Sequence, residues 1–265
     1  MPAGIRALAN LALLAALARA STPAHAEPAI QRPIALAPGS CQATLVVESN
    51  LAARRLAEPL SLAPDLHCAL DPRLTLGVTH SARALSLFDS GGGLCLRGED
   101  GGCPRAYDGT AIDALSPLRA GDAAIAARVR LVASSYDPIK PSLRAGALVR
   151  LRRGRVALLM DPHLAVGLAN RDRGNRDQLN LPMRGQLQLT ERIVVEMHTG
   201  VRGELSTFGD TFTVPFATGV QVSPSPAWDI GLEAALPRLL GPQNSFKERH
   251  VALYLTYRLA YGFAP

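Results

Sequence analysis

The sequence predicts an all-β fold, a closed antiparallel transmembrane β-barrel of about twelve strands in an up-and-down meander. Three observations predict it. Apolar and polar residues alternate at period two in runs long enough to cross a bilayer at a tilt. The connections between runs alternate short and long, as periplasmic turns and outer loops do. After the N-terminal leader, nothing reaches membrane-helix length without a charge, and lipid admits only helices and closed barrels.

The leader is Met1 to Arg6, an apolar stretch from Ala7 to Ala18 broken only by Asn10, and Thr22-Pro-Ala-His-Ala26. A basic start, a short apolar segment and an A-x-A site predict a secretory signal peptide, residues 1–26, cut after Ala26. The apolar segment is too short for an anchor, which needs roughly 20 apolar residues. Residues 27–40 contain Pro28, Pro33 and Pro38 and read as an extended periplasmic lead-in; residues 41–265 read as the barrel.

In chain order, the fainter alternations cover 43–50, 60–69, 74–88 and 106–118. Stronger ones follow at 122–132, 143–152, 155–168, 178–189, 192–204, 211–222, 228–236 and 251–263. The last is the clearest: Val251, Leu253, Leu255, Tyr257, Leu259, Tyr261 and Phe263 share one face, while His250, Ala252, Tyr254, Thr256 and Arg258 share the other. Short connections are expected at 71–73, 119–121, 153–154, 190–191 and 223–227, and longer ones at 89–105, 134–141, 170–177 and 238–249. With both termini inside, the longer set points outward. A soluble β-sandwich also has alternating strands, but they are usually shorter and less regularly spaced.

The formal net charge is +6, of which Arg6 and Arg19 of the leader contribute two, and Lys140 and Lys247 are the only lysines. The arginines are spread over many strands without interleaved aromatics, which argues against nucleic acid as a partner. Cys41, Cys68, Cys95 and Cys103 fit an oxidising compartment. Cys95 and Cys103 would close a small loop, and Cys41 and Cys68 would meet at one end of the first hairpin. Free thiols and a metal site are the alternatives, and metal is the weakest because no paired His spacing accompanies the cysteines.

The ending from Tyr254 to Phe263 resembles the C-terminal signal strand of bacterial outer-membrane barrels, which implies the barrel-assembly machinery as a partner; Ala264 and Pro265 after the Phe depart from that pattern. The mature chain as a whole looks like the outer-membrane transport barrels that include those associated with phenol-degradation pathways. That resemblance implies an outer-membrane location, lipids around the wall and small solutes within it, and brings no binding or catalytic motif.

If the apolar faces meet lipid, the other faces line the lumen. Arg128, Arg130, Arg144, Arg150 and Arg152 then crowd one wall, with Arg155 opening the next strand. Arg184, Glu196, His198, Arg202, Asp229, Glu233 and Arg258 face inward from later strands. An arginine wall opposite a carboxylate wall would give a transverse field favouring anions, unless the charges pair and plug so small a barrel. The reading is a channel for small polar or anionic solutes, with no cofactor and no metal. An outer-membrane lipid hydrolase is the alternative, but His80 and Ser81, as neighbours on a strand, would point to opposite faces, and no G-x-S-x-G is present. A surface-binding barrel without conduction is the third reading, with the Gly-rich 89–103 loop as its external feature.

Overall fold

The computed structural model describes residues 27–51, 60–81, 83, 93–98, 103, 107–242, 244–246 and 248–260. The leader, the 52–59 connection, most of the 84–106 segment and the C-terminal 261–265 lie outside the described residues, and with them the expectations about signal cleavage and Phe263.

The strands in order are β1 (Ser40–Asn50), β2 (Leu60–Asp71), β3 (Leu74–Thr79), β4 (Gly93–Arg97), β5 (Tyr107–Asp108), β6 (Thr110–Arg119), β7 (Ala123–Tyr136), β8 (Ile139–Arg153), β9 (Val156–Met160), β10 (His163–Gly167), β11 (Gln178–Gln188), β12 (Ile193–Glu204), β13 (Val214–Ser225), β14 (Trp228–Leu240) and β15 (His250–Ala260). Each pairs antiparallel with its neighbour, and β1 pairs with both β15 and β2, which closes the sheet into a barrel of 12 strands. β9 and β10 share one position in the wall, between β8 and β11. β4 pairs with the end of β2 that β3 does not reach, and β5 pairs with β4.

The predicted runs differ from these strands where local chemistry intervenes. The expected 74–88 strand stops at Thr79, and Arg83 beyond it reaches the barrel interior. The expected 134–141 loop is instead a tight turn, with Tyr136 opposite Ile139; a register shift between Ala133 and Tyr136 explains why the alternation fades there. The 155–168 run is cut at Asp161-Pro162, because Pro162 has no N–H to give the ladder. The inward and outward faces nevertheless stay in phase across the cut. At the opposite end of β8, Gly154 turns the chain with a left-handed φ of 58°.

Apart from the Tyr136–Ile139 turn, which lies at the opposite mouth, the tight turns and both ends of the barrel chain, Ser40 and Ala260, lie at one mouth, hereafter the turn end. The lead-in does not hang outside it. Ile30 is 1% exposed against Ala157 and Val194 of the wall, and its N–H donates to Gln188 Oε1 at 3.2 Å. The segment from Glu27 to Gly39 therefore sits inside the mouth.

Inside and outside are inverted relative to a soluble protein. The buried apolar side chains are mostly alanines, while Arg130, His198, Glu196, Asp113 and Asp229 are among the largest fully buried ones. The exposed surface carries Leu66, Ile112, Leu131, Leu151, Leu164, Met197, Leu232 and Leu253, each 47–57% exposed. Full burial of such a side chain is worth about 1.5–3 kcal/mol, so a belt of them needs an apolar solvent. Trp228 and Tyr257 are paired across β14 and β15 near the turn end with ring centroids 4.5 Å apart, as in an interfacial aromatic girdle. Cys41 is bonded to Cys68, directly opposite it on β2, and Cys95 to Cys103.

Candidate functional site

The period-two wall directs polar side chains into a common lumen, where they form three ionic groups. The first is built across adjacent strands. His67, Gly77, Asp113, Arg130 and Arg144 fall in one cross-strand row from β2 to β8, and Arg128 lies in the next inward row. Arg128 donates through Nε to both Asp113 oxygens at 3.1 Å and through Nη1 to Asp161 Oδ2 at 2.9 Å. Arg130 Nη2 reaches the same Asp161 oxygen at 2.9 Å, and His67 lies 3.3 Å from Asp113. Asp161 is available because the break at Pro162 leaves it at the strand interruption, while His163 turns Nδ1 to the Asp161 carbonyl at 2.8 Å.

The second group joins distant parts of the chain. Glu196 and His198 of β12 and Glu233 of β14 place one donor atom each within 4.8 Å of one another, a spacing a cation could bridge. Arg83 supplies that positive charge. Its Nη2 donates to Glu196 at 2.9 Å, its Nε lies 3.5 Å from Glu233, and its Cζ stands 3.6 Å above the Tyr254 ring. Gln186 donates to the other Glu196 oxygen at 2.7 Å, and Arg184 lies 3.8 Å from it. Gly231 makes room for Tyr254, since a Cβ there would come within 2.0 Å of the ring.

The third group holds the lead-in. Arg32 Nη1 donates to both Asp229 oxygens at 2.9 Å, Ser223 donates to Asp229 at 2.6 Å, and Arg258 donates to the same carboxylate. Arg150 donates to the Arg32 carbonyl and, at 3.4 Å, to that of Gly121; among the described residues it meets no carboxylate at ion-pair distance.

Of the residues expected to line the lumen, Arg128, Arg130 and Arg144 are drawn together on the β7–β8 wall, Arg150 lies nearer the turn end against the lead-in, and Arg184, Glu196, His198 and Glu233 form the second group. Arg202 donates to Thr213 at 3.2 Å toward the loop end of β12. Arg152 pairs with Asp122 at 2.5 Å near the turn end, and Arg155 is an exposed residue of the β8–β9 turn, outside the lumen. The expected transverse field is replaced by local pairing. Arg128 and Arg130 find Asp113 and Asp161 next to them on the wall, because two adjacent guanidinium groups are costly to bury uncompensated. Asp113, Asp161, His67, Arg32, Arg83 and Tyr254 are among the participants not expected from the sequence. Ser81 Oγ donates to Asp65 at 2.6 Å while His80 Nδ1 faces Thr110 at 3.2 Å, so these neighbours do not form a Ser–His pair. In the 168–177 loop, Arg171 donates to both Asp177 oxygens at 2.7 and 2.6 Å and holds that carboxyl below the usual carboxylate range.

Among the described residues, cavities of about 390 and about 200 Å³ lie between these groups. Both are bounded by Gln42, Leu148, Leu159 and Arg184, so they adjoin one another along the lumen. The larger also receives Arg32, Arg150 and Arg258 against Glu27 and Glu196, so its lining is cationic in balance.

No protein-family model matches the sequence, and a search of the curated proteins finds no relative. Solved structures do resemble the fold. A NanC porin superposes with a TM-score of 0.59 at 5% identity, covering 82% of this chain and 100% of that one. A KdgM porin, solved in complex with disordered oligogalacturonate, gives 0.54 at 8% identity, covering 81% of this chain and 98% of that one. The chain thus shares the closed-barrel fold of outer-membrane porins.

Proposed function

We propose that this chain is an outer-membrane channel for small polar or anionic solutes. The observation that carries the reading is the lining of the larger cavity, where Arg32, Arg150, Arg184 and Arg258 outnumber Glu27 and Glu196 and Arg150 lacks a carboxylate partner among the described residues. Stripes of arginine in a narrow, low-dielectric lumen attract anions and raise the barrier to cations. The porin-like fold and the apolar belt support the location. Export by the 1–26 leader, recognition of the last strand by the assembly machinery, and kinship with the transport barrels of phenol-degradation pathways belong to the same proposal. So does the absence of a catalytic step.

The test is a reversal potential across a planar bilayer under a KCl gradient. Anion preference is expected. Cation preference, or no channel activity from folded protein, contradicts the reading. Mass spectrometry of the mature chain should find Glu27 at its N-terminus.

A further inference from the structure

The larger cavity is more specific than a cationic pore requires. Arg150 of β8 lies opposite Leu159 of β9, and Leu159 lies opposite Arg184 of β11, so a cation, an apolar side chain and a second cation stand in one row across three strands. All three point inward and line the same cavity. With strands about 4.8 Å apart, the two arginine backbones stand about 10 Å from each other. Arg150 is 6% exposed, and the Nε atoms of Arg150 and Arg184 are buried without a hydrogen-bond partner. A buried donor left unpaired is costly, and an arginine fork is shaped for a carboxylate.

The remainder of the lining is mixed, with an apolar part made by Leu148 and Leu159 of the wall and by the lead-in. Leu148 interrupts the polar inward face of β8, Leu159 follows Ala157 on the inward face of β9, and the lead-in adds Ile34 and Leu36 to the same lining. The lead-in is pinned there by the Arg32–Asp229 pair and by the Arg150 bond to the Arg32 carbonyl, so it builds one side of the cavity. A bare inorganic anion would leave this apolar surface wet, and a neutral apolar molecule would leave the guanidinium donors unpaired.

We propose that this cavity is a binding site for an organic monocarboxylate with a compact apolar body, the carboxylate held by Arg150 and Arg184 and the body resting on Leu148, Leu159 and the lead-in. The inference deepens the channel reading by naming the class of anion and giving it a fixed station in the lumen.

Isothermal titration of the full-length, detergent-folded protein with benzoate, against acetate and benzamide as probes lacking the apolar body or the charge, tests it. Benzoate is expected to bind saturably and at least about tenfold more tightly than either, the scale of one charge-assisted hydrogen bond against benzamide and of burying part of an apolar ring against acetate. Arg150→Gln should weaken benzoate about tenfold, and Arg238→Gln, at the loop end, should leave it unchanged. Heat-modified migration on gels verifies that each variant is folded; should Arg150→Gln not fold, Leu159→Gln is expected to lower benzoate affinity while sparing acetate. Equal binding of benzoate and acetate, equal binding of benzamide, or no benzoate binding overturns the proposal. Selective benzoate binding without conductance upholds the site and removes the channel reading, whereas anion-selective conductance without benzoate binding does the reverse.

Discussion

The two larger ionic groups of the lumen solve one problem in different ways. Asp113, Arg128 and Arg130 come from the paired strands β6 and β7, and Asp161 stands at the break between β9 and β10, across β8 from them, so the wall itself brings them together. Glu196, His198 and Glu233 come from the wall too, with Arg184 of β11 3.8 Å from Glu196, but the cation that reaches both carboxylates is Arg83, carried in from beyond the end of β3 and steadied on Tyr254. Strand register can position like charges as readily as opposite ones, and where it leaves an excess, a residue from outside the wall must supply the balance. The first group should therefore be robust to changes outside the wall, and the second should depend on one insertion.

Arg83→Ala breaks the comparison most sharply. It leaves two buried carboxylates beside His198 and empties the space over Tyr254, so we expect a loss of about 3 kcal/mol in denaturant unfolding from detergent, larger conductance and a shift toward cations. Adding Glu196→Gln should recover part of the stability. Asp113→Asn perturbs the wall-borne group instead. Asp161 still serves both Arg128 and Arg130, so a smaller loss of about 1–3 kcal/mol is expected, and selectivity should move the other way, toward anions. Gly231→Ala drives a Cβ into the Tyr254 ring and should cost about 1–3 kcal/mol by overpacking, unfolding experiments in the Tyr254→Ala background showing most of that cost removed.

Much of the wall was legible in the sequence because a barrel strand has a strict period of two. Gln178–Gln188 and Ile193–Glu204 follow their alternating runs closely, and the inward parity of Arg128, Arg130, Arg144 and Arg150 follows from the same rule. Asp113 was hidden in one of the faintest runs, and Asp161 lies where Pro162 interrupts the ladder. Arg83 had no local signal at all, since its role depends on the chain leaving the wall after Thr79. The lead-in misled for a related reason. Three prolines announce an extended segment but not its destination, which is set by Ile30 fitting between Ala157 and Val194 and by Arg32 meeting Asp229.

A transmembrane barrel requires lipid against every second side chain of its wall. Spin labels placed singly at successive positions of β14 from Asp229 to Ala234, in the protein folded into vesicles, measure this through collision with oxygen and with a water-soluble nickel chelate. Oxygen accessibility should peak at Ile230, Leu232 and Ala234 and fall at Asp229, Gly231 and Glu233, repeating every two residues. A flat profile, or nickel accessibility highest at Ile230 and Leu232, would contradict it.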